Sequence, residues 1–227
     1  MSGFRLPHPH GTLIDRASPL RFTFNGRSLD GFRGDTLASA LLANGVCRVG
    51  RSYKFHRPRG IFSCGPEEPT GIVEIGAGSR LTPNTKTTQI ALTEGLQARS
   101  GSGWPSLALD LAAINDRLAA LIPAGFYYKT FIWPSWHLFE PFIRNLAAPS
   151  LPAEAPDPDR YDVLHTEADI LVIGGGASGS TAALSAAQAG ARVVLIHSGP
   201  VMQGAALSRA GVQVLMHTVA CGVYDHL

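Results

Sequence analysis

Apolar and polar positions along this chain fall into two different patterns. From Leu20, apolar Leu20, Phe22 and Phe24 alternate with polar Arg21 and Thr23, the period of a strand with one buried face. Asn25-Gly26 then predicts a hairpin turn into a second short strand running toward Phe32. Gly34-Asp35-Thr36 is a helix-start signal, and Leu37, Leu41 and Leu42 share one side of a helix predicted over 37–44. Gly45 ends it, in the left-handed conformation that helix C-termini favour. Further strands are predicted over 71–75 and 87–92. Hairpin, helix and later strands together predict a β-grasp fold of the plant-ferredoxin kind.

Beyond a Gly/Ser loop at 97–106, Leu107 to Leu121 predict an apolar helix. An aromatic strip from Phe126 to Trp136 follows. A second helix is predicted around Trp136, with Glu140 and Arg144 spaced to pair at i,i+4. A proline-rich stretch to about residue 160 reads as a semi-rigid linker. The pattern then changes. Ile170 to Ile173 form a short, wholly apolar strand, followed by a glycine turn, a helix of small residues and a second apolar strand over 192–196. Val212–Met216 and Val219–Val223 could add one or two more strands. The predicted organisation is an arm (1–19), a β-grasp unit (20–96), a helical and aromatic connector (97–160) and a partial Rossmann-type FAD/NAD(P)-binding unit (161–227). The fold class is therefore α+β followed by α/β.

The glycine turn carries the clearest chemistry. Gly174, Gly176 and Gly179 stand at G-x-G-x-x-G spacing between strand and helix. The first glycine permits the tight turn, the second lets a pyrophosphate approach the backbone, and the third packs helix against strand. The helix start then offers free N–H groups and a partial positive charge to phosphate. Gly174, Gly175, Gly176, Ala177, Ser178 and Gly179 are thus the expected pyrophosphate contacts. His197 and Ser198 are expected beside the ribose, Ala205 after the next glycine, and Val219 near the adenine. An acidic residue usually ends the second strand and accepts from the ribose hydroxyls. His197 stands there instead and offers at most one acceptor nitrogen. The chain also ends, at Leu227, too soon for a full doubly wound sheet, so the unit reads as cut short.

Composition narrows the rest. The apolar share of 45% and mean hydropathy of +0.09 belong to a folded globular chain. A net charge of +2 argues against broad nucleic-acid binding, and no apolar run reaches membrane-span length. The N-terminus lacks an apolar signal core, and three scattered cysteines suit a reducing cytoplasm. Arg48 to Gly60 interleaves Arg48, Arg51, Lys54, Arg57 and Arg59 with aromatics. Its readings are a docking or anion site, a solvated charged strand, or a single-stranded nucleic-acid contact. His56 is expected to be a structural hydrogen-bonder. A [2Fe–2S] cluster takes four thiolates, three of them at C-x4-C-x2-C spacing. From Cys64 the other places fall on Pro69 and Ile72, so the expectation is no iron–sulfur cluster, with Cys64 a buried or half-buried small residue. No catalytic constellation and no metal-ligand cluster is legible.

Several segments resemble the N-terminal part of the α subunit of heterotetrameric sarcosine oxidase. They are GDTLASALLANGV at 34–46, RSYKFHRPRG at 51–60, EEP at 67–69, AGFYYKTF at 124–131 and IGGGASG at 173–179, with TVACGVYDH at 218–226 resembling a later segment. The resemblance implies an α-subunit-like component of a complex that demethylates sarcosine oxidatively to glycine. It implies NAD in the dinucleotide fold, FAD and FMN in or against the β subunit, and β, γ and δ subunits as partners. His197 predicts weak or lost NAD binding. Set against that resemblance, a family stretch between Gly204 and Val212 and a folate-binding C-terminal domain are expected to be lacking. The isolated chain is expected to be inactive. The alternatives are an inactive truncated scaffold or assembly protein, or a small subunit of a related amine-, opine- or cyanide-forming flavin dehydrogenase.

Overall fold

Phe22 and Phe24 turn inward from strand β1 (Asp15–Phe24) and start the core of the first of two units. A computed structural model describes residues 4–121, 125, 129–147, 153, 155–199 and 203–224. The chain divides into two compact units, Met1–Asp159 and Arg160–Leu227.

In the first unit, β1 pairs antiparallel with β2 (Arg27–Arg33). Asn25 and Gly26 have φ of 50° and 76°, the two positive values that match a hairpin turn to the twist of its strands. Helix α1 (Leu37–Ala43) starts at Thr36, whose side chain accepts from the N–H of Ser39, while Ser39 Oγ accepts from the N–H of Thr36. This reciprocal box satisfies donors that a helix start otherwise leaves open. Gly31 of β2 lets α1 come close, since a Cβ there would stand 2.3 Å from Leu92 and 3.3 Å from Ala40. Later strands are β3 (Gly50–Arg51), β4 (Pro58–Arg59), β5 (Ile72–Ile75), β6 (Thr82–Lys86) and β7 (Gln97–Arg99). The main sheet runs β2-β1-β7-β5-β6, with β7 parallel to β1 and antiparallel to β5. Leu29, Leu37, Leu41, Val49, Val73, Leu92 and Ala98 complete the core.

Three local expectations need correction. Residues 87–92 are not a strand: Thr87–Gln89 form a 3-10 turn, and Ala91 makes a single bridge to Thr36. The buried Thr87 N–H is taken by Gly71 O at 2.8 Å, which turns the chain after β6. The helix expected over 107–121 is broken into 3-10 pieces and a short α2 (Ile114–Arg117). Asp110 causes the break, because its carboxylate accepts from the N–H groups of Trp104 and Ala112 and so delays the helix start. Residues 219–223 form no strand. The arm is tied down: Arg5 makes two hydrogen bonds to Asp35, at 2.9 and 2.7 Å, and Arg16 donates to the carbonyls of Leu6 and His10. Helix α3 (Trp136–Ala147) forms where expected. The Arg144 side chain and Phe126, Tyr127 and Tyr128 lie outside the described residues, whereas Trp133 is exposed.

The second unit has a three-stranded parallel sheet in the order β10-β9-β8, made of β8 (Ile170–Ile173), β9 (Val193–His197) and β10 (Gln213–Met216). Helix α4 (Ala177–Gln188) crosses from β8 to β9, and α5 (Gly204–Arg209) crosses from β9 to β10. Ala183, Val193, Leu195, Leu207 and Val212 form its core.

Candidate functional site

Three parallel strands bring their carboxyl ends to one edge, the edge at which open α/β sheets take ligands. β8 runs into Gly174, with φ of 106°, a value that L side chains avoid. The chain then enters α4 through the N-cap Gly176, and among the described residues no side chain caps the helix start. The first N–H groups of a helix have no partner within it. At Gly179 a Cβ would lie 1.9 Å from Gly174 O, so only glycine lets helix and turn pack this closely. At Gly174 and Gly176, by contrast, a Cβ would meet nothing within 4 Å. The turn therefore has one crowded face and one open face. Ser180, buried, donates its hydroxyl to Gly175 O at 3.1 Å and holds the turn from below. Gly175, Ala177 and Ser178 complete this cradle.

His197 ends β9 on the same edge, paired in register with Met216. Its carbonyl accepts from Thr218 N–H at 3.0 Å, which holds the start of the following loop, with exposed Val219, at that edge. Ser198 follows His197. Ala205 sits in the first turn of α5 and is exposed, making no hydrogen bond to the glycine turn among the described residues. At the opposite end of β8, Arg192 bonds Asp169, lowering the Asp169 pKa mainly through its side-chain hydrogen bond and fixing the β8–β9 register.

In the first unit, the basic stretch is largely consumed by its own fold. Arg51 donates to the carbonyls of Leu107 and His56 and lies 3.3 Å from Asp110. His56 Nδ1 is 2.8 Å from Asp110, which makes it the structural hydrogen-bonder expected. Arg57 pairs with Asp116. Sequence reasoning missed the carboxylate hub at Glu68, which is fully buried and accepts from the N–H groups of Phe62, Ser63, Thr70 and Gly71 at 2.6–2.8 Å. Burial opposes its charge, yet these backbone donors together lower its pKa from 4.5 to about 2. Cys64 is exposed, where a buried or half-buried place was expected, and lies in the loop whose backbone N–H groups at Phe62 and Ser63 are bonded to Glu68.

Residues 17–103 match the family model of a 2Fe-2S iron-sulfur cluster binding domain, and residues 169–225 match that of an FAD dependent oxidoreductase. The sequence is 47% identical to sarcosine oxidase subunit alpha of Rhizobium meliloti (strain 1021) over 99% of this chain and 25% of that protein. The chain is similar to part of sarcosine oxidase subunit alpha. A second relative of the same description, from Corynebacterium sp. (strain U-96), is 33% identical over 90% of this chain and 17% of its own length. The chain thus spans a quarter or less of the length of these relatives. The crystal structure of L-proline dehydrogenase from P. horikoshii matches in fold, with a TM-score of 0.51, 16% identity, and coverage of 100% of this chain and 37% of that one.

These matches bear out the resemblance read in the sequence and correct its cofactors. The expectation of NAD without an iron–sulfur cluster is overturned by the FAD dependent oxidoreductase and 2Fe-2S domain matches. A glycine turn recognises a pyrophosphate, which NAD and FAD share, so it could not tell them apart. The cluster expectation rested on thiol spacing, whereas the domain is recognised over its whole framework. Residues 17–103 contain Cys47 and Cys64, both exposed, and a cluster takes four ligands. Among the described residues no group of three or more His, Cys, Asp or Glu could hold a metal ion. Those present therefore do not make a full ligand set. Among them, too, no helix is long and apolar enough to cross a membrane.

Proposed function

We propose that this chain is an α-subunit-type component of a sarcosine-oxidising complex, and that residues 161–227 form a Rossmann-type unit holding the pyrophosphate and adenosine of FAD. The observation that carries this reading is the two-faced glycine turn: Gly179 seats against Gly174 O, while the Cβ positions of Gly174 and Gly176 face open space. A pyrophosphate fits that open face, against N–H groups that no side chain caps among the described residues. Bound FAD supplies the electron-accepting ring. The residues of this unit bind and orient its other end, Gly174 to Gly179 at the pyrophosphate, His197 and Ser198 at the ribose, and Val219 at the adenine. Ala205 lies farther along, at the start of α5. Partner subunits complete the sarcosine site, in keeping with the subunit naming of the relatives.

Gly176→Val tests this directly. With φ of −71° and nothing within 4 Å of its Cβ position, Gly176 accepts a side chain without strain to the protein. The variant should keep the wild-type thermal unfolding curve and lose FAD binding by a factor of about 100 or more, measured by calorimetry. Undiminished FAD binding would place the pyrophosphate elsewhere. Co-expression of the full chain with the other subunits of such a complex should yield sarcosine-dependent reduction of bound flavin, and its absence would remove the complex from the proposal.

A further inference from the structure

The first unit contains a cleft of about 800 Å³ that the glycine-turn reading does not use. It is walled by three separate stretches: the β1–β2 hairpin, the loop after α1, and residues 99–108. Arg27, Arg48 and Arg99 line it, and among the described residues no Asp or Glu does. Arg99 is held by Glu74. Arg27 and Arg48 are exposed and have no ion-pair or hydrogen-bond partner among the described residues. Of the other arginines of the RVGRSYKFHRPRG stretch, Arg51 and Arg57 are engaged by the fold, and Arg48 is the one that lines this cleft. Val46, Pro105 and Leu107 give it an apolar wall. Unpaired guanidinium groups beside apolar surface, within the usual 300–1,000 Å³ of small-ligand sites, suit an anion with an apolar body.

We infer that this cleft binds a small phosphate ester, its phosphate on Arg27 and Arg48 and its body against Val46, Pro105 and Leu107. The site lies wholly within the first unit and stands or falls independently of FAD binding.

Phenyl phosphate is the probe, titrated into the full chain by calorimetry and by amide chemical-shift mapping. The Gly176→Val background removes phosphate binding at the glycine turn. Saturable shifts are expected at residues 45–48, 103–104 and 106–108. Arg48→Gln and Arg27→Gln should each weaken binding about tenfold, as for loss of one charge-assisted hydrogen bond. Ala108→Glu, which adds a carboxylate to the cleft wall and keeps both arginines, should do the same. Inorganic phosphate should bind at least tenfold more weakly than phenyl phosphate, because it leaves the apolar wall uncovered. Binding unchanged in the Arg27→Gln, Arg48→Gln double variant overturns the inference. So do shifts confined to other surfaces, or equal affinity for inorganic phosphate.

Discussion

Buried carboxylates hold much of the first unit in place, and each is defined by its donors. The Asp35 carboxylate is fully buried and accepts from Arg5, Ser39 Oγ and Phe32 N–H, while the Arg5 guanidinium stacks on Phe32. Removing one member of a buried pair leaves the other charged and unsolvated, so Arg5→Ala should destabilise the unit by about 3–5 kcal/mol. Chemical denaturation measures this, and Asp35→Asn added to Arg5→Ala should recover part of the loss. Glu68 carries a pH signature. Its pKa falls from 4.5 in the unfolded chain to about 2 in the folded one, so the folded protein binds fewer protons between those values. Its contribution is complete above pH 4.5 and drains away as pH falls toward 2. Glu68→Gln should be less stable at pH 7 and lose the steep part of this dependence, read from denaturation midpoints across that range. At the candidate ribose contact, His197→Asp replaces one acceptor nitrogen by a carboxylate. A hydrogen bond to a charged group contributes about 1.5–3 kcal/mol, so FAD should bind roughly 10- to 100-fold more tightly.

Where local chemistry was complete within a few residues, the elements matched their expectations. The Asn25-Gly26 hairpin, the Thr36-capped α1 and the strand–glycine–helix run from Ile170 to Gln188 all formed. Gly26 has φ of 76° and open space around its Cβ position, so Gly26→Ala isolates backbone strain. It should cost about 1–2 kcal/mol without disturbing packing, as a thermal unfolding midpoint would register. The expected helix over 107–121 failed because apolar content does not decide a helix once a side chain competes for its N–H groups. Asp110 is committed to His56, Arg51, Trp104 and Ala112, partners drawn partly from 54–59 positions away. Likewise, the 87–92 segment has strand-like residues, but its edge is filled by Thr36 and Gly71 and not by a neighbouring strand.

At the scale of the molecule, the division at Asp159 falls beside a run of exposed residues, 155–168, that carries no helix or strand. Proteolysis concentrates at such backbone. Brief trypsin treatment should cut first after Arg160 and release fragments of residues 1–160 and 161–227. Initial cleavage at Arg33 or Arg192, identified by mass spectrometry, would instead show that the 155–168 run is protected. The parallel sheet also determines how the candidate site is assembled. Gly174, His197 and Met216 come from segments far apart in sequence, yet parallel pairing of β8, β9 and β10 brings all three strand ends to one edge.

The sequence by itself determined the features whose physics is local. A turn needing two positive φ values, a helix start closed by its own third residue, and a glycine turn between an apolar strand and a small-residue helix are all readable within about ten positions. The tertiary structure alone decided which distant groups share a site. It joined Arg5 to Asp35, gathered four backbone N–H groups around Glu68, spent Arg51 and Arg57 inside the fold and left Arg27 and Arg48 lining one cleft. The reason is that backbone preference and periodicity act along the chain, whereas the partner of a buried charge is chosen by which surfaces pack together.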